Sequence, residues 1–228
     1  MKNAFLLCTL LSLSIPAFTQ ITLPLKNHPD TKAWSNLFKD DLSDADYTPN
    51  VWTSKQGVIT ADEDQIIFSG KEFENFALDL EFNMEPGANS GVVVYCTNKK
   101  DWIPNSVEIQ IADDSHEKWA NSPGTWQCGA IFGHLAPSAK LAKKPGEWNH
   151  MTIACKGQMI YVVLNGKPVT TMDMSLWKSA SINPDGSEIP AWLNKPYSEL
   201  PTKGFVGLQG KHAGAKVYFR NVKIIEIK

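Results

Sequence analysis

The chain of 228 residues lacks the marks of several functional classes. Its four cysteines form neither a CxxC pair nor a Cys/His zinc spacing, so the sequence gives no ground for a zinc module or a thioredoxin-like redox site. Lys and Arg (22) are outnumbered by Asp and Glu (24) and form no cluster, which argues against nucleic acid or an anionic membrane as partner. Helical periodicity is nearly missing, and neither an internal repeat nor a low-complexity tract is present. Beyond the first twenty residues no long apolar run occurs.

Those first residues read as an export signal. Lys2 supplies the positive start, Ala4 to Ile15 is mostly apolar, and Ala17 and Thr19 suit the small positions before a cut near Gln20. The run is too short for a permanent membrane span, and Cys8 lies too early to be a lipobox cysteine. The expectation is a signal at residues 1–19, a single domain over 20–228, and a periplasmic or secreted location. Cys96, Cys128 and Cys155 lie beyond the signal. Cys155 shares a strand face with Met151 and Ile153 and reads as a buried apolar residue. An oxidising compartment would permit a Cys96–Cys128 bridge, but spacing does not assign one.

What the sequence has instead is short strands. Extended runs are expected at 65–68, 76–83, 91–96, 107–112, 129–132, 151–156, 159–164, 168–172, 205–209, 216–220 and 222–227. Phe76, Leu78, Leu80 and Phe82 alternate with Ala77, Asp79, Glu81 and Asn83, which gives one buried and one polar face. Asn165-Gly166 between two β-rich runs marks a tight hairpin, because a primed turn needs positive φ at both central residues. Many short strands separated by Gly, Pro and Asn turns indicate an all-β sandwich of two antiparallel sheets. Three stretches resist strand assignment. Residues 20–48 offer Trp34, Leu37 and Phe38 to a sheet edge, the segments flanking residue 108 carry Trp102, Trp119 and Trp126, and 173–203 holds Trp177, Trp192 and Tyr197. A loop as long as the last is usually functional or disordered, and its aromatic content argues against disorder.

The most informative stretch is Ser106-Val107-Glu108-Ile109-Gln110-Ile111-Ala112-Asp113. Val107, Ile109 and Ile111 share one strand face, so Glu108 and Gln110 point together to the other, with Asp113 at the strand end. An acid beside an amide on a sheet can hydrogen-bond sugar hydroxyls, and the acid can also move a proton. The plainer reading of the same alternation is a half-exposed strand with a solvated face.

Further elements follow in order: Trp52, Gly57-Val58-Ile59, Asn89-Ser90-Gly91, Gly129-Ala130-Ile131-Phe132 with Pro137, Gly146-Glu147-Trp148-Asn149, Asn165-Gly166, Leu208-Gln209-Gly210-Lys211-His212, and Arg220-Asn221. As an ordered set over roughly residues 34–228 they resemble the 3-keto-disaccharide hydrolase domain family. The resemblance implies a concanavalin-A-like jelly-roll whose sugar site lies on one sheet, and cleavage of glycosides already oxidised to a ketone at C3. On matching positions it implies site roles for Glu108, Gln110, Asp113, Asn89, Ser90, His212 and Arg220. The chain departs from the family pattern at Val92-Val93-Val94-Tyr95, which lacks a polar residue, and at Lys211 and Ala213 around His212.

A ketone at C3 acidifies the C2 hydrogen. A base can then form an enolate, which expels the group on C1, and water adds back. Glu108 or His212 could be the base, and Arg220 could stabilise charge or hold a carboxylate. Glu108 with Asp113 could instead form the carboxylate pair of direct hydrolysis, or share a divalent ion with His212. The catalytic candidates are therefore Glu108, His212 and Asp113. The substrate-binding candidates are Gln110, Asn89, Ser90, Gln209, Arg220, Trp126 and His134. Each has a structural counterpart: Asn89 and Ser90 can shape a turn, His212 can cap one, His134 can lie at the surface, and Arg220 can pair with any nearby acid. The implied partners are a 3-keto-glycoside and, through the family, a sugar 3-oxidoreductase. The alternatives are a non-catalytic carbohydrate-binding module on the same sandwich and a conventional retaining glucanase.

Overall fold

The computed structural model describes residues 21–227, so the expected signal at 1–19 lies outside the described residues. The described residues form thirteen strands: β1 (Ser35–Asn36), β2 (Ala45–Asp46), β3 (Trp52–Lys55), β4 (Val58–Ala61), β5 (Ile66–Phe73), β6 (Phe76–Met84), β7 (Asn89–Cys96), β8 (Val107–Ala112), β9 (Asn149–Lys156), β10 (Met159–Leu164), β11 (Lys167–Asp173), β12 (Gly204–Gln209) and β13 (Val217–Glu226). Among the described residues the α-helix is confined to Glu117–Ala120, and no helix is long and apolar enough to cross a membrane.

The strands form two antiparallel sheets. One runs β11-β10-β9-β6-β13-β4-β3, with β1 pairing on β13, and the other runs β2-β5-β12-β7-β8. The alternation expected in the sequence fixes which side of each strand is buried. Phe76, Leu78, Leu80 and Phe82 face Val92, Val94, Val107, Ile109, Ile111, Val206 and Leu208 across one continuous core. Asn165 (φ 48°) and Gly166 (φ 83°) make the expected two-residue hairpin between β10 and β11.

The expected strand at 129–132 does not form. Gly129 (φ 87°) and Gly133 (φ 71°) turn the backbone out of extension, leaving Ile131 bridged to Ile109 and Leu135. The segment still occupies the free edge of β8: Gln110 N–H donates to Ala130 O, while Gly129 N–H and Phe132 N–H donate to Gln110 O and Glu108 O. Exposed backbone on an edge strand is thereby satisfied. The two runs expected at 216–220 and 222–227 are one strand, bent by a register shift at Asn221 (φ 52°). Cys96, Cys128 and Cys155 are free. Cys128 and Cys155 lie in the main core, whereas Cys96 lies with Phe68 and Val93 on the outer side of the smaller sheet, so the conceivable Cys96–Cys128 bridge is not made.

Residues 21–34 cross the outer face of the larger sheet. Leu25 and Trp34 pack there on Ala77, Ala154 and Val163. Hydrophobic contact therefore holds this strap in place, and Trp34 packs on a sheet face where an edge was expected.

Candidate functional site

Strand register gathers one polar band on the outer face of the smaller sheet. Because Val107, Ile109 and Ile111 face the core, Glu108 and Gln110 must face out. β7 opens at Asn89, so Asn89-Ser90-Gly91 is strand rather than the turn the sequence suggested. Asn89 pairs with Ala112, Gly91 with Gln110 and Val93 with Glu108, which places Asn89 and Gly91 on the band's side. On β12, Leu208 faces in, so Gln209 faces out beside Ile66. Ser90 points the other way, and its hydroxyl donates to Gln209 O at 2.7 Å, joining the two strands beneath the band.

Glu108 is only 8% exposed. The sequence predicted a face, and the structure makes that face a buried one. Gly91 provides the space: a Cβ there would overlap the Glu108 carboxyl. Among the described residues nothing hydrogen-bonds that carboxyl. Burial, with a smaller contribution from nearby Asp64, pushes its pKa up to about 8. Beside it, Gln110 Nε2 donates to Asn89 Oδ1 at 3.0 Å, leaving the Gln110 carbonyl and the Asn89 amide N–H groups to meet a ligand.

The edge of β8 supplies the other wall. His134, a substrate-binding candidate, is 2% exposed, so the plainer alternative of a surface histidine does not hold. Its Nδ1 lies 2.8 Å from Phe132 O, so Nδ1 carries the proton and Nε2 keeps its lone pair. Nε2 is buried and has no partner among the described residues. Burial drives the His134 pKa down to about 4, so the ring is neutral. Tyr197 stacks on it, with centroids 3.7 Å apart and planes 18° apart. Burial and the neighbouring Glu108 hold the Tyr197 phenol well above its ordinary pKa, so it is a neutral donor. Sequence reasoning missed Tyr197 as a site residue; its only signal was an aromatic in a long loop. Outside this wall, Trp126 contacts Phe132 at 5.3 Å and Trp192 at 6.3 Å between centroids. Trp192 is 51% exposed.

Other expected members lie elsewhere. Asp113 is five residues beyond Glu108, roughly 16 Å along an extended chain. Its carboxyl accepts from Gly87 N–H (3.0 Å) and Ser115 Oγ (2.6 Å). Against the penalty of burial these bonds keep its pKa below the usual carboxylate range. Asp113 thus ties a turn and makes no 5 Å carboxylate pair with Glu108. His212 bridges to Asn89, at the far end of the band, and its Nδ1 meets Asp64 Oδ2 at 2.7 Å. Asp64, which also acts on Glu108, links His212 to it. Arg220 is on β13 of the other sheet, bonded to Glu81 at 2.5 Å and lying over Trp148 at 3.9 Å. It is separated from Glu108 by the whole core.

Glu108, Asp113 and His212 therefore do not converge on one ion. Among the described residues, the one group of three potential ligands within 4.8 Å is His28, Asp79 and His150, on the opposite face of the molecule. Its hydrogen bonds already use the lone pairs a metal would need. Gly166 N–H donates to His28 Nε2 at 2.8 Å, so His28 Nδ1–H donates to Thr152 Oγ1 at 2.7 Å. Thr152 in turn donates to Asp79, and His150 Nε2 meets both Asp79 oxygens at 2.9 Å. This is a closed clasp that fastens the strap. A groove of about 1230 Å³ at the edge of the molecule, lined by Ile21, Leu23, Phe73 and Ile224, is crossed by the Lys71–Glu226 ion pair, and its acids and amide, Asp44, Glu226 and Asn36, are exposed.

Residues 24–225 match the model of the 3-keto-alpha-glucoside-1,2-lyase-like domain. The chain belongs to that family. It is 24% identical to a 3-keto-disaccharide hydrolase of Bacteroides thetaiotaomicron over 93% of this chain and 81% of that protein. A crystal structure of a candidate glycosyl hydrolase from Parabacteroides distasonis superposes with a TM-score of 0.83 at 59% identity, covering 85% of this chain and 99% of the other. The carbohydrate-binding module CBM66 of Bacillus subtilis shares the fold (TM-score 0.50, 12% identity, 82% and 98% covered). The expected jelly-roll sandwich is thus the observed fold, and the family is glycosyl-hydrolase-like.

Proposed function

We propose that the chain cleaves the glycosidic bond of 3-keto-glycosides, with Glu108 as the proton-transferring group. The observation that carries this reading is a buried carboxyl that receives no hydrogen bond among the described residues, has its pKa pushed up to about 8, and lies beside the amides of Gln110 and Asn89. A carboxylate held in that environment is a stronger base than an ordinary one, and its pKa lies close to the pH at which it must work. Glu108 in its ionised form takes the C2 proton, which the C3 ketone has acidified. The neutral Tyr197 phenol donates a hydrogen bond to the enolate oxygen. Collapse of the enolate breaks the C1–O bond, and the proton now on Glu108 goes to the departing oxygen. Water then adds to the unsaturated sugar, releasing the free 3-keto sugar. Gln110, Asn89 and Gln209 hold the sugar hydroxyls, and His134 keeps the Tyr197 ring in place. Export through residues 1–19 and supply of the substrate by a sugar 3-oxidoreductase belong to the same reading.

The test is incubation with 3-keto-trehalose beside trehalose, following release of 3-keto-glucose, with Glu108→Gln in parallel. Turnover of the keto sugar alone, lost in the variant, supports the reading. Sugar binding without turnover in the wild type would make this a binding module.

A further inference from the structure

Beside the polar band, the same outer face becomes apolar. Register sets Glu108, Val93, Gly207 and Phe68 in one row across β8, β7, β12 and β5, with strands about 4.8 Å apart. Phe68, Val93 and Cys96 form an outer cluster on which Ile66, Trp102 and Phe205 pack. Gly207 lets the Phe68 ring lean toward Glu108: a Cβ there would come within 2.8 Å of Phe68 Cδ1. Over this floor opens a cleft of about 730 Å³, whose walls include Tyr47, Trp102, Lys99 and Asp64. That volume suits a small-molecule site. Asp64 also contacts His212 and contributes to the raised Glu108 pKa, so the cleft adjoins the proton-transfer site.

The rim decides what the cleft accepts. Most of its polar groups are already paired: Lys99 with Asp46 at 2.8 Å, Thr48 with Gln65 at 3.2 Å, and Asp64 with His212 at 2.7 Å, with Lys100 a further cation on the rim. Lys99 is further held over the Phe205 ring at 3.6 Å. A second sugar ring would bring several hydroxyls to a floor of Ile66 and Phe68 and to a rim with few free partners, and unpaired buried hydroxyls are costly. A planar aromatic ring asks for no such partners and gains contact with Tyr47, Phe68 and Trp102.

We infer that this cleft is the leaving-group subsite, and that it selects glycosides carrying an aromatic aglycone over disaccharides. The inference rests on the proposed cleavage of 3-keto-glycosides. It is tested by kcat/KM for phenyl, methyl and glucosyl 3-keto-glucosides, each as both anomers, in the wild type and in Trp102→Ala and Tyr47→Leu. The phenyl compound is expected to be preferred to the glucosyl one. The phenyl-to-methyl ratio is expected to fall about 3- to 10-fold in each variant. Taking a ratio removes any general loss of folded protein. A wild-type preference for the glucosyl compound, or ratios unmoved by both variants, overturns the inference. If no 3-keto-glycoside is turned over, the cleavage reading fails independently. Equilibrium binding of phenyl glucoside then decides the cleft: binding weakened by Trp102→Ala supports an aromatic subsite, and no binding overturns it.

Discussion

The two sheets each bury a carboxyl on their outer face, and the two carboxyls live differently. Asp79, on the larger sheet, is 5% exposed and is met by His150 and Thr152 under a strap that closes over it. Glu108, on the smaller sheet, is 8% exposed and receives no hydrogen bond among the described residues. A satisfied buried acid holds structure together. An unsatisfied one is destabilising, and persists where it has chemistry to do. Equal burial with opposite satisfaction thus separates the structural face of this molecule from its functional face.

The largest effect should come from removing the unsatisfied acid. Glu108→Gln keeps the shape and is expected to lower kcat by about 10²–10⁴-fold, with thermal stability equal to or above the wild type. A large fall in the melting temperature would show that Glu108 is structural after all. Next, Gly91→Ala is expected to displace the Glu108 carboxyl and cost about 10²-fold in kcat, read by steady-state kinetics on folded protein. Asp79→Ala should show the reverse pattern. It strands His150 and Thr152, and urea denaturation is expected to find a loss of about 2–3 kcal/mol with kcat preserved.

The remaining effects are pH dependences, and they run in opposite directions. Glu108 titrates near 4.5 when unfolded and near 8 in the fold. Its protonated form therefore favours folding below pH 4.5, and that contribution is lost as the pH rises to about 8, above which it is constant. Comparing unfolding free energies of wild type and Glu108→Gln across this range should show the gap opening with pH. kcat/KM should rise through the same interval. His28 is the mirror case: burial first, and then the adjacent His150, take it from 6.5 down to about 4. Its contribution is present above pH 6.5 and is lost as the pH falls toward 4, with the strap loosening. His28→Gln should flatten that acid limb, as measured by urea midpoints between those values. An unchanged limb would mean the clasp does not depend on the neutral ring.

Period-two alternation made most of the fold legible. β8 and β10 have the boundaries expected, and β6 buries the side that Phe76, Leu78, Leu80 and Phe82 announced. The short strands β1 to β4 went unread because two to four residues carry too little alternation to register. Of the site, the pairing of Glu108 with Gln110 on one face was legible, since strand geometry enforces it locally. That Arg220 would sit on the other sheet, and that Asp113 would be spent on Gly87 and Ser115, was not.

The sequence by itself determined that this chain is a β-sandwich and that one strand presents an acid and an amide together, because alternation and turn chemistry are local properties. Only the tertiary structure decided which acid was left without partners. Solvation, hydrogen bonding and the stacking of Tyr197 on His134 depend on segments far apart in the chain, and no local pattern records how they meet.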